Sequence, residues 1–282
     1  MKKEFRRKNH YIPQFYLKHW AINGKICVYN NLVSSNSVPE FQYKIPKSIA
    51  YIENLYTDIN LLEETDEFEI WISEEVELPY QKTEEKILNN IRLGSQDYKN
   101  LVRYAMAQFW RVPYSYIGRY SSTVETMQPV LQKSLEKKMS SLEKRARYHQ
   151  PLPLYDTKIE FDEIPIKLNR YQEDNIEYLK AEVLTGRKSW LYNIKRMVNE
   201  VSEKTSEHKW QILVALEGTT WITSDNPLTL LNYNSDTDYN FEGAWKKKNT
   251  DIFMPVSPRY LLFTEVGSRA TVENNKNFLK PA

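Results

Sequence analysis

Apolar residues recur with the spacing of an α-helix along the middle third of the chain. The strongest stripe predicts a helix over about 97–112 that is buried on a broad face. Pro113 ends this helix, because proline cannot continue the backbone hydrogen-bond ladder. The apolar positions of the stripe are Leu101, Val102, Ala105, Met106, Phe109 and Trp110.

Weaker stripes predict further helices. One begins near Thr83, a long amphipathic helix covers 121–148, and a helical block covers 173–204 with an interruption near Gly186. Pro129 either kinks the long helix or marks its first turn. The acidic stretch before Thr83 shows no regular period, so we expect it to be irregular.

Alternation with period two predicts strands near both ends. An N-terminal strand covers 25–30, and strands of the C-terminal third cover 209–217, 219–223, 228–231, 252–255 and 260–266. We therefore predict an α+β fold, in which a helical middle segment packs on a mainly antiparallel sheet formed by the C-terminal third with the N-terminal strand. The prediction is a single domain over 1–282, helical over about 83–204 and sheet-rich over about 209–282.

Composition narrows the class of protein. The net charge is only +2, and Cys27 is the only cysteine, which rules out an intramolecular disulfide framework and is typical of a reducing cytosol. No apolar run approaches the roughly 20 residues that span a bilayer, so we expect a cytoplasmic protein without a membrane partner. The 7 glycines form neither a Rossmann nor a Walker A pattern, so a nucleotide cofactor is not expected. The 20 tyrosines are mainly core residues, or alternatively stacking surface for bases.

The densest polar motif runs from Asn9 to Leu17 and contains His10. A histidine is the natural general acid or base at neutral pH, and Asn9 and Gln14 could fix its tautomer. The alternative is a structural histidine that bonds backbone carbonyl groups. Both interpretations stay open.

Two further segments carry candidate chemistry. Arg111, one turn after Gln108, could hold a phosphate or carboxylate, or could simply complement the helix dipole. Asp225 and Asn226, before Pro227, could be catalytic at a strand end, or could form the turn.

Metal and nucleic-acid partners leave different signals. The four histidines form no H-x-x-x-H pair and have no cysteine partners, so no metal site is expected. Basic clusters at Lys2–Lys8, on the polar face of the long helix and at Lys246–Lys248 could bind phosphates, or could be solvated faces.

Four motifs follow one another along the chain. They are Asn9-His10-Tyr11-x-Pro13-x-x-Tyr16-Leu17, Gln108-x-x-Arg111-x-Pro113, Thr223-Ser224-Asp225-Asn226-Pro227 and Pro255-x-Ser257-Pro258. In type and order they resemble bacterial domain-of-unknown-function family 4238. The family has no established reaction, but some members look like components of anti-phage defence. The resemblance implies one clustered polar site that draws on the first three motifs.

The residues and the resemblance together predict an anti-phage effector, a metal-independent nuclease that cleaves RNA. His10 is the expected acid or base, Arg111 stabilises charge in the transition state, and Asp225 orients His10 or the ribose. The expected substrate-binding residues are Asn9, Tyr11, Gln14, Gln108 and Asn226. Two alternatives stay open: a non-enzymatic sensor or binding module for a phage product or nucleic acid, and a metal-dependent nuclease. Expected partners are RNA and a phage trigger or partner subunit.

Overall fold

A computed structural model describes most of the chain. The described residues are 8–30, 40–56, 58–60, 63–65, 67–115, 136, 140–141, 143–148, 166–173, 176–183, 186–235 and 237–267. The chain divides into two compact units, one made of Met1–Pro113 with Ile194–Ala282 and the other of Tyr114–Asn193. The single domain stays a prediction.

Short strands and turns open the first unit. They are β1 (Lys8–His10), α1 (Gln14–Leu17), a 3₁₀ turn (Lys18–Trp20), β2 (Ile26–Tyr29), β3 (Phe41–Lys44), a second 3₁₀ turn (Pro46–Ser48), β4 (Tyr51–Glu53), β5 (Asp58–Asn60) and β6 (Glu63–Thr65). β1 pairs with β4, β2 with β3 and β5 with β6, each pair antiparallel. The strand predicted over 25–30 is confirmed as β2.

A long helical run follows instead of the irregular segment that we predicted. It comprises α2 (Glu67–Ile72), a π-helical turn (Ser73–Glu77) and α3 (Leu78–Leu88). The apolar residues Phe68, Ile72, Val76 and Tyr80 recur every four positions and are all buried. A spacing of four drifts around a helix of about 3.6 residues per turn, and the wider π turn offsets that drift. The acidic residues between these positions obscured the stripe.

The strongest sequence prediction is confirmed by α4 (Ser95–Arg111), which begins two residues before the predicted start at 97. The Asp97 carboxylate accepts a hydrogen bond from the Gly94 backbone N–H at 2.8 Å and so caps the first turn. Val112 is extended, as expected for the residue before Pro113. Arg111 is therefore the last helical residue.

The second unit contains the hairpin of β7 (Ile166–Glu173) and β8 (Ile176–Val183) and the start of α5 (Gly186–Arg196). The helical prediction over 173–204 was wrong over β8 and right from Gly186, where α5, a π-helical turn (Met197–Val201) and α6 (Ser202–Thr205) follow one another. In β8 the apolar residues Leu179, Ala181 and Val183 alternate with period two, which favours a strand. Most of the helix predicted over 121–148 lies outside the described residues.

The C-terminal sheet completes the first unit. Its strands are β9 (Gln211–Val214), β10 (Thr229–Ser235), β11 (Asp238–Asn240), β12 (Thr250–Pro255) and β13 (Tyr260–Val266). They form one antiparallel sheet in the order β11-β10-β12-β13-β9. The helices and this sheet confirm the α+β class. Among the described residues the N-terminal strands pair with one another, so none joins this sheet, contrary to our expectation.

The segment predicted as a strand over 219–223 is a loop. Trp221 donates one backbone hydrogen bond to the Pro258 carbonyl at 2.8 Å, while Ile222 is 82% exposed. One bond does not make a ladder, so alternation alone misled the prediction. Within the described residues, no helix is long and apolar enough to cross a membrane.

Candidate active site

A cavity of about 650 Å³ opens in the first unit beside β1. Its walls come from β1 and α1, the Pro46–Ser48 turn, β4, the helical run and the end of α4. The titratable side chains of the lining are Lys8, His10, Lys47, Tyr51, Tyr56, Glu69, Glu77 and Arg111. Of the residues predicted for the site, His10, Gln14 and Arg111 line this cavity, and Asp225 does not.

His10 ends β1 and lies opposite Tyr51 of β4, with their ring centroids 5.5 Å apart. Its Nε2 is buried and has no hydrogen-bond partner among the described residues, whereas the Lys47 backbone accepts a hydrogen bond from the ring. A bond of this kind through Nδ1 leaves the Nε2 lone pair without a partner among the described residues when the histidine is neutral. Burial lowers the pKa of His10, the Lys47 bond partly opposes this, and the positive charge of Lys8 adds to it.

Arg111 is held from both ends of its guanidinium group. Nη1 donates to Glu77 Oε1 at 2.7 Å, and Nη2 donates to Gln108 Oε1. The guanidinium carbon lies 5.8 Å from the centre of the Tyr104 ring. Burial disfavours the charge, but Glu77 and the neighbouring tyrosines outweigh this and raise the pKa of Arg111. Only 1% of the Arg111 side chain is exposed, against 18% for Glu77, so the carboxylate offers the cavity more surface.

Asn9, which the sequence predicts as a substrate-binding residue, is buried and has a structural role. It is 1% exposed, and its Nδ2 donates to Glu69 Oε1 at 2.6 Å. Its Oδ1 accepts a bond from the Tyr56 backbone N–H at 3.3 Å. Asn9 therefore joins β1 to α2 and to the segment after β4, and it fixes the carboxylate of Glu69 at the cavity.

Sequence reasoning missed Glu69 and Glu77. Both follow immediately after buried positions of the helical stripe, Phe68 and Val76, and they are eight residues apart. Had the stripe been recognised, it would have put both carboxylates on one side of a helix, next to its buried face. The irregular segment that we predict for this acidic stretch hides both carboxylates.

Asp225 and Asn226 do not line the cavity, although the charge of Asp225 affects Tyr11 of the Asn9–Leu17 motif. Asp225 is exposed, and its charge, together with the larger effect of burial, raises the pKa of Tyr11. Asn226 donates its backbone N–H to Ser224 Oγ at 3.1 Å, which is the geometry of a turn former. Gln108 donates to the Tyr11 carbonyl at 3.4 Å and so connects the two regions. The structure thus brings His10 and Arg111 to one cavity. Asp225 lies outside the lining of this cavity, and its charge helps to raise the pKa of Tyr11.

Within the described ranges, no group of three or more His, Cys, Asp or Glu residues could hold a metal ion.

The model of the family described as "Protein of unknown function (DUF4238)" matches residues 8–281. The chain belongs to this family. The resemblance seen in the motifs is thereby confirmed, and every residue that lines the cavity lies inside the DUF4238 match. No curated protein and no solved structure matches the chain.

Proposed function

We propose that this DUF4238 chain is a nuclease that cleaves RNA without a metal ion, and that the His10 cavity is its active site. The observation that carries the proposal is the unpartnered Nε2 of a histidine whose pKa is lowered, at a cavity of suitable size. A neutral imidazole with a fixed tautomer is a general base. Two lysines, Lys8 and Lys47, belong to the same lining and complement a phosphate.

The chemistry follows from these groups. Once substrate binding exposes the buried Nε2 atom of His10, this atom removes the proton from a ribose 2′-hydroxyl, and the 2′-oxygen attacks the adjacent phosphorus. The 5′-oxygen leaves and takes a proton from solvent, which gives a 2′,3′-cyclic phosphate and a free 5′-hydroxyl. Lys8 and Lys47 stabilise the negative charge that builds up on the phosphate. DNA lacks the 2′-hydroxyl and is not a substrate for this reaction.

Arg111 has a supporting part in this proposal. Its Nη1 and Nη2 atoms are engaged by Glu77 and Gln108, and its side chain is almost fully buried. A bidentate grip on the substrate would require these bonds to open. Arg111 therefore positions Glu77 and places a fixed positive charge at the cavity wall. The sequence had predicted direct contact between Arg111 and the substrate, and this proposal does not include that contact.

We further propose that the cleavage serves anti-phage defence in the bacterial cytoplasm, under the control of a phage trigger or a partner subunit. The support is the likeness of the motifs to family members that look like defence components. Cleavage of cellular RNA would make an uncontrolled enzyme toxic to its host. Control by a second component is therefore part of the proposal.

The test uses purified protein with tRNA, mRNA and DNA in the presence of EDTA. We expect RNA to be cut to cyclic-phosphate ends, and His10→Ala to lower the rate by at least about 100-fold while the thermal midpoint stays close to that of the wild type. The control is His208→Ala, since the His208 ring lies against the Trp245 carbonyl, outside the cavity lining. Intact RNA with a protein that is toxic in cells would contradict the proposal. Loss of cleavage in EDTA would support the metal-dependent alternative.

A second candidate is a binding module that has no catalytic activity and recognises nucleic acid or a phage product. The burial of Arg111 favours it, because a structural arginine leaves Lys8 and Lys47 as the cations of the lining that are free to contact a ligand, beside the neutral His10. In such a module His10→Ala weakens binding, whereas in the nuclease it abolishes turnover and leaves binding largely intact.

A further inference from the structure

The hairpin of β2 and β3 exposes aromatic side chains on one face. Cys27 is directly opposite Tyr43, and Tyr29 is directly opposite Phe41. Tyr29 is 54% exposed, Phe41 61% and Tyr43 72%, and Cys27 is exposed as well. The Tyr29 and Phe41 rings are 5.0 Å apart. We call these four residues the aromatic face.

The alternation of the strands explains which side is outward. Ile26 is 7% exposed and alternates with Cys27 along β2, so the opposite side of the hairpin is the more buried one. A solvated face of an antiparallel pair is usually polar. The sequence departs from this rule at all four positions of the outward face. Clustered exposed rings of this kind mark interaction surfaces.

The aromatic face is continuous in the chain with the proposed active site. β3 leads through Ile45 into the Pro46–Ser48 turn, where Lys47 and Ser48 line the cavity and the Lys47 backbone bonds His10. Tyr43 is four residues before Lys47, so a span of at most about 14 Å separates their Cα atoms. This upper limit equals the length of about four stacked nucleotides at roughly 3.4 Å each.

We infer that the aromatic face binds unpaired bases of the single-stranded RNA whose scissile phosphate lies at His10. The inference rests on the proposed nuclease function and extends it to the form of the substrate. Bases stack on aromatic rings with little sequence preference, because every base has a π face. The cleavage reaction acts on one phosphate, whereas this surface selects a flexible, unpaired strand.

Exposed lysines beside the aromatic face favour a nucleic acid as its occupant. Lys25 is exposed just before β2, and Lys47 is exposed between the aromatic face and the cavity. Lys8 is exposed at the cavity itself. Two exposed acidic residues lie nearby. Glu40 comes directly before β3, and Glu53 is the last residue of β4. Ile26 pairs with Lys44, so Lys25 lies at the end of the hairpin that leads to the Pro46–Ser48 turn. The phosphates of a bound strand would therefore meet cations between the rings and His10.

Binding is tested in the full chain carrying His10→Ala, so that cleavage does not consume the probe. The probe is a fluorescent single-stranded RNA of about twelve nucleotides. Phe41→Ala and Tyr43→Ala should each weaken its binding by about fivefold or more, as expected for the loss of one base–ring stack. The matched control is Phe241→Ala, since Phe241 is 84% exposed and lies outside the hairpin.

Cys27 gives an independent test because it is the only cysteine in the chain. Alkylation with N-ethylmaleimide adds bulk beside Tyr43 and should weaken RNA binding, while the Cys27→Ser protein should be insensitive to the reagent. A kinetic readout adds to this. On the single-stranded substrate, Phe41→Ala should raise KM with little change in kcat, and on a dinucleotide it should change neither.

The outcomes separate this inference from the proposed nuclease. If the ring variants lose RNA binding but the wild type cuts no RNA, the aromatic face stands and the reaction is wrong. If the wild type cuts RNA and the ring variants bind as it does, the inference is overturned and the reaction stands. Equal binding of duplex and single-stranded RNA overturns it too, as does an equal loss in the Phe241→Ala control or the absence of any RNA binding.

Discussion

Arg111 Nη1 lies 2.7 Å from Glu77 Oε1, and this ion pair joins the last residue of α4 to the π-helical turn before α3. The pair is 34 residues apart in sequence and has one almost fully buried partner. The charges support one another only while both are present. The pair therefore links the geometry of the cavity to the stability of the helical core.

Removing Glu77 should destabilise the protein strongly. Glu77→Ala leaves the Arg111 charge buried without its carboxylate, so the free energy of unfolding should fall by about 3 to 5 kcal/mol. Urea denaturation measures this, and Glu75→Ala is the control, because Glu75 is exposed in the same π-helical turn. Equal midpoints for the two variants would mean that the ion pair contributes nothing.

The pKa of His10 should lie below 6.5, because burial disfavours the imidazolium form. NMR titration of the ring protons measures it, and Lys8→Ala should raise it by removing a nearby positive charge. Cleavage should fall as the pH drops through the pKa of His10, since only the neutral ring is a base. A pKa above the ordinary value would contradict both the burial and the proposed role.

His10 also makes the free energy of unfolding depend on pH. The folded state binds fewer protons at His10 than the unfolded chain does, because its pKa is lowered in the fold. Its stabilising contribution is therefore complete above the unfolded pKa of about 6.5 and is lost as the pH falls through the lower folded pKa. His10→Ala should flatten this part of the pH dependence of the urea midpoint.

Asn9→Asp should create a pH-dependent defect. The new carboxylate would face Glu69 in a buried position, so the free energy of unfolding at neutral pH should fall by about 3 kcal/mol or more. Repulsion raises the pKa of the introduced carboxyl in the fold, so acid should relieve part of the cost. Asn23→Asp is the control, because Asn23 is exposed in a turn. A cost that does not depend on pH would contradict the carboxylate contact.

Tyr16→Phe should weaken the attachment of α1 to the C-terminal part of the chain. The buried hydroxyl donates to the Pro255 carbonyl at 2.8 Å and lies 2.8 Å from Thr223 Oγ1. Loss of these bonds should cost about 1 to 3 kcal/mol in urea denaturation. Tyr114→Phe, at a tyrosine that is 66% exposed, should have little effect. Similar losses in both variants would contradict a specific role for the hydroxyl.

Local patterns predicted much of the fold. The stripe of α4 and the alternation of β13 give elements whose bounds agree closely with the sequence predictions, because each pattern is read within one element. The pairing of β1 with β4 and the bond between Asn9 and Glu69 depend on residues far apart in sequence. A single sequence does not contain that information.

In the candidate site, too, local features were predictable from the sequence and contacts between distant residues were not. The sequence identified His10 and Arg111 by their residue types and surroundings. It could not show that Arg111 is buried, because arginine at a helix end is usually exposed. It also missed Glu77, which is recognisable only after the helical run before α3 is known. The residue types were predictable, whereas their partners required the fold.

The hydroxyl of Tyr16 also ties the cavity wall to a part of the chain that is synthesised much later. α1 carries Gln14 and Phe15 of the cavity wall, yet Tyr16 in the same helix is tied to residues beyond position 220. A nascent chain still lacking β12 has no Pro255 carbonyl to receive it. During synthesis, α1 therefore acquires this hydrogen bond only after β12 has been made, 239 residues after Tyr16.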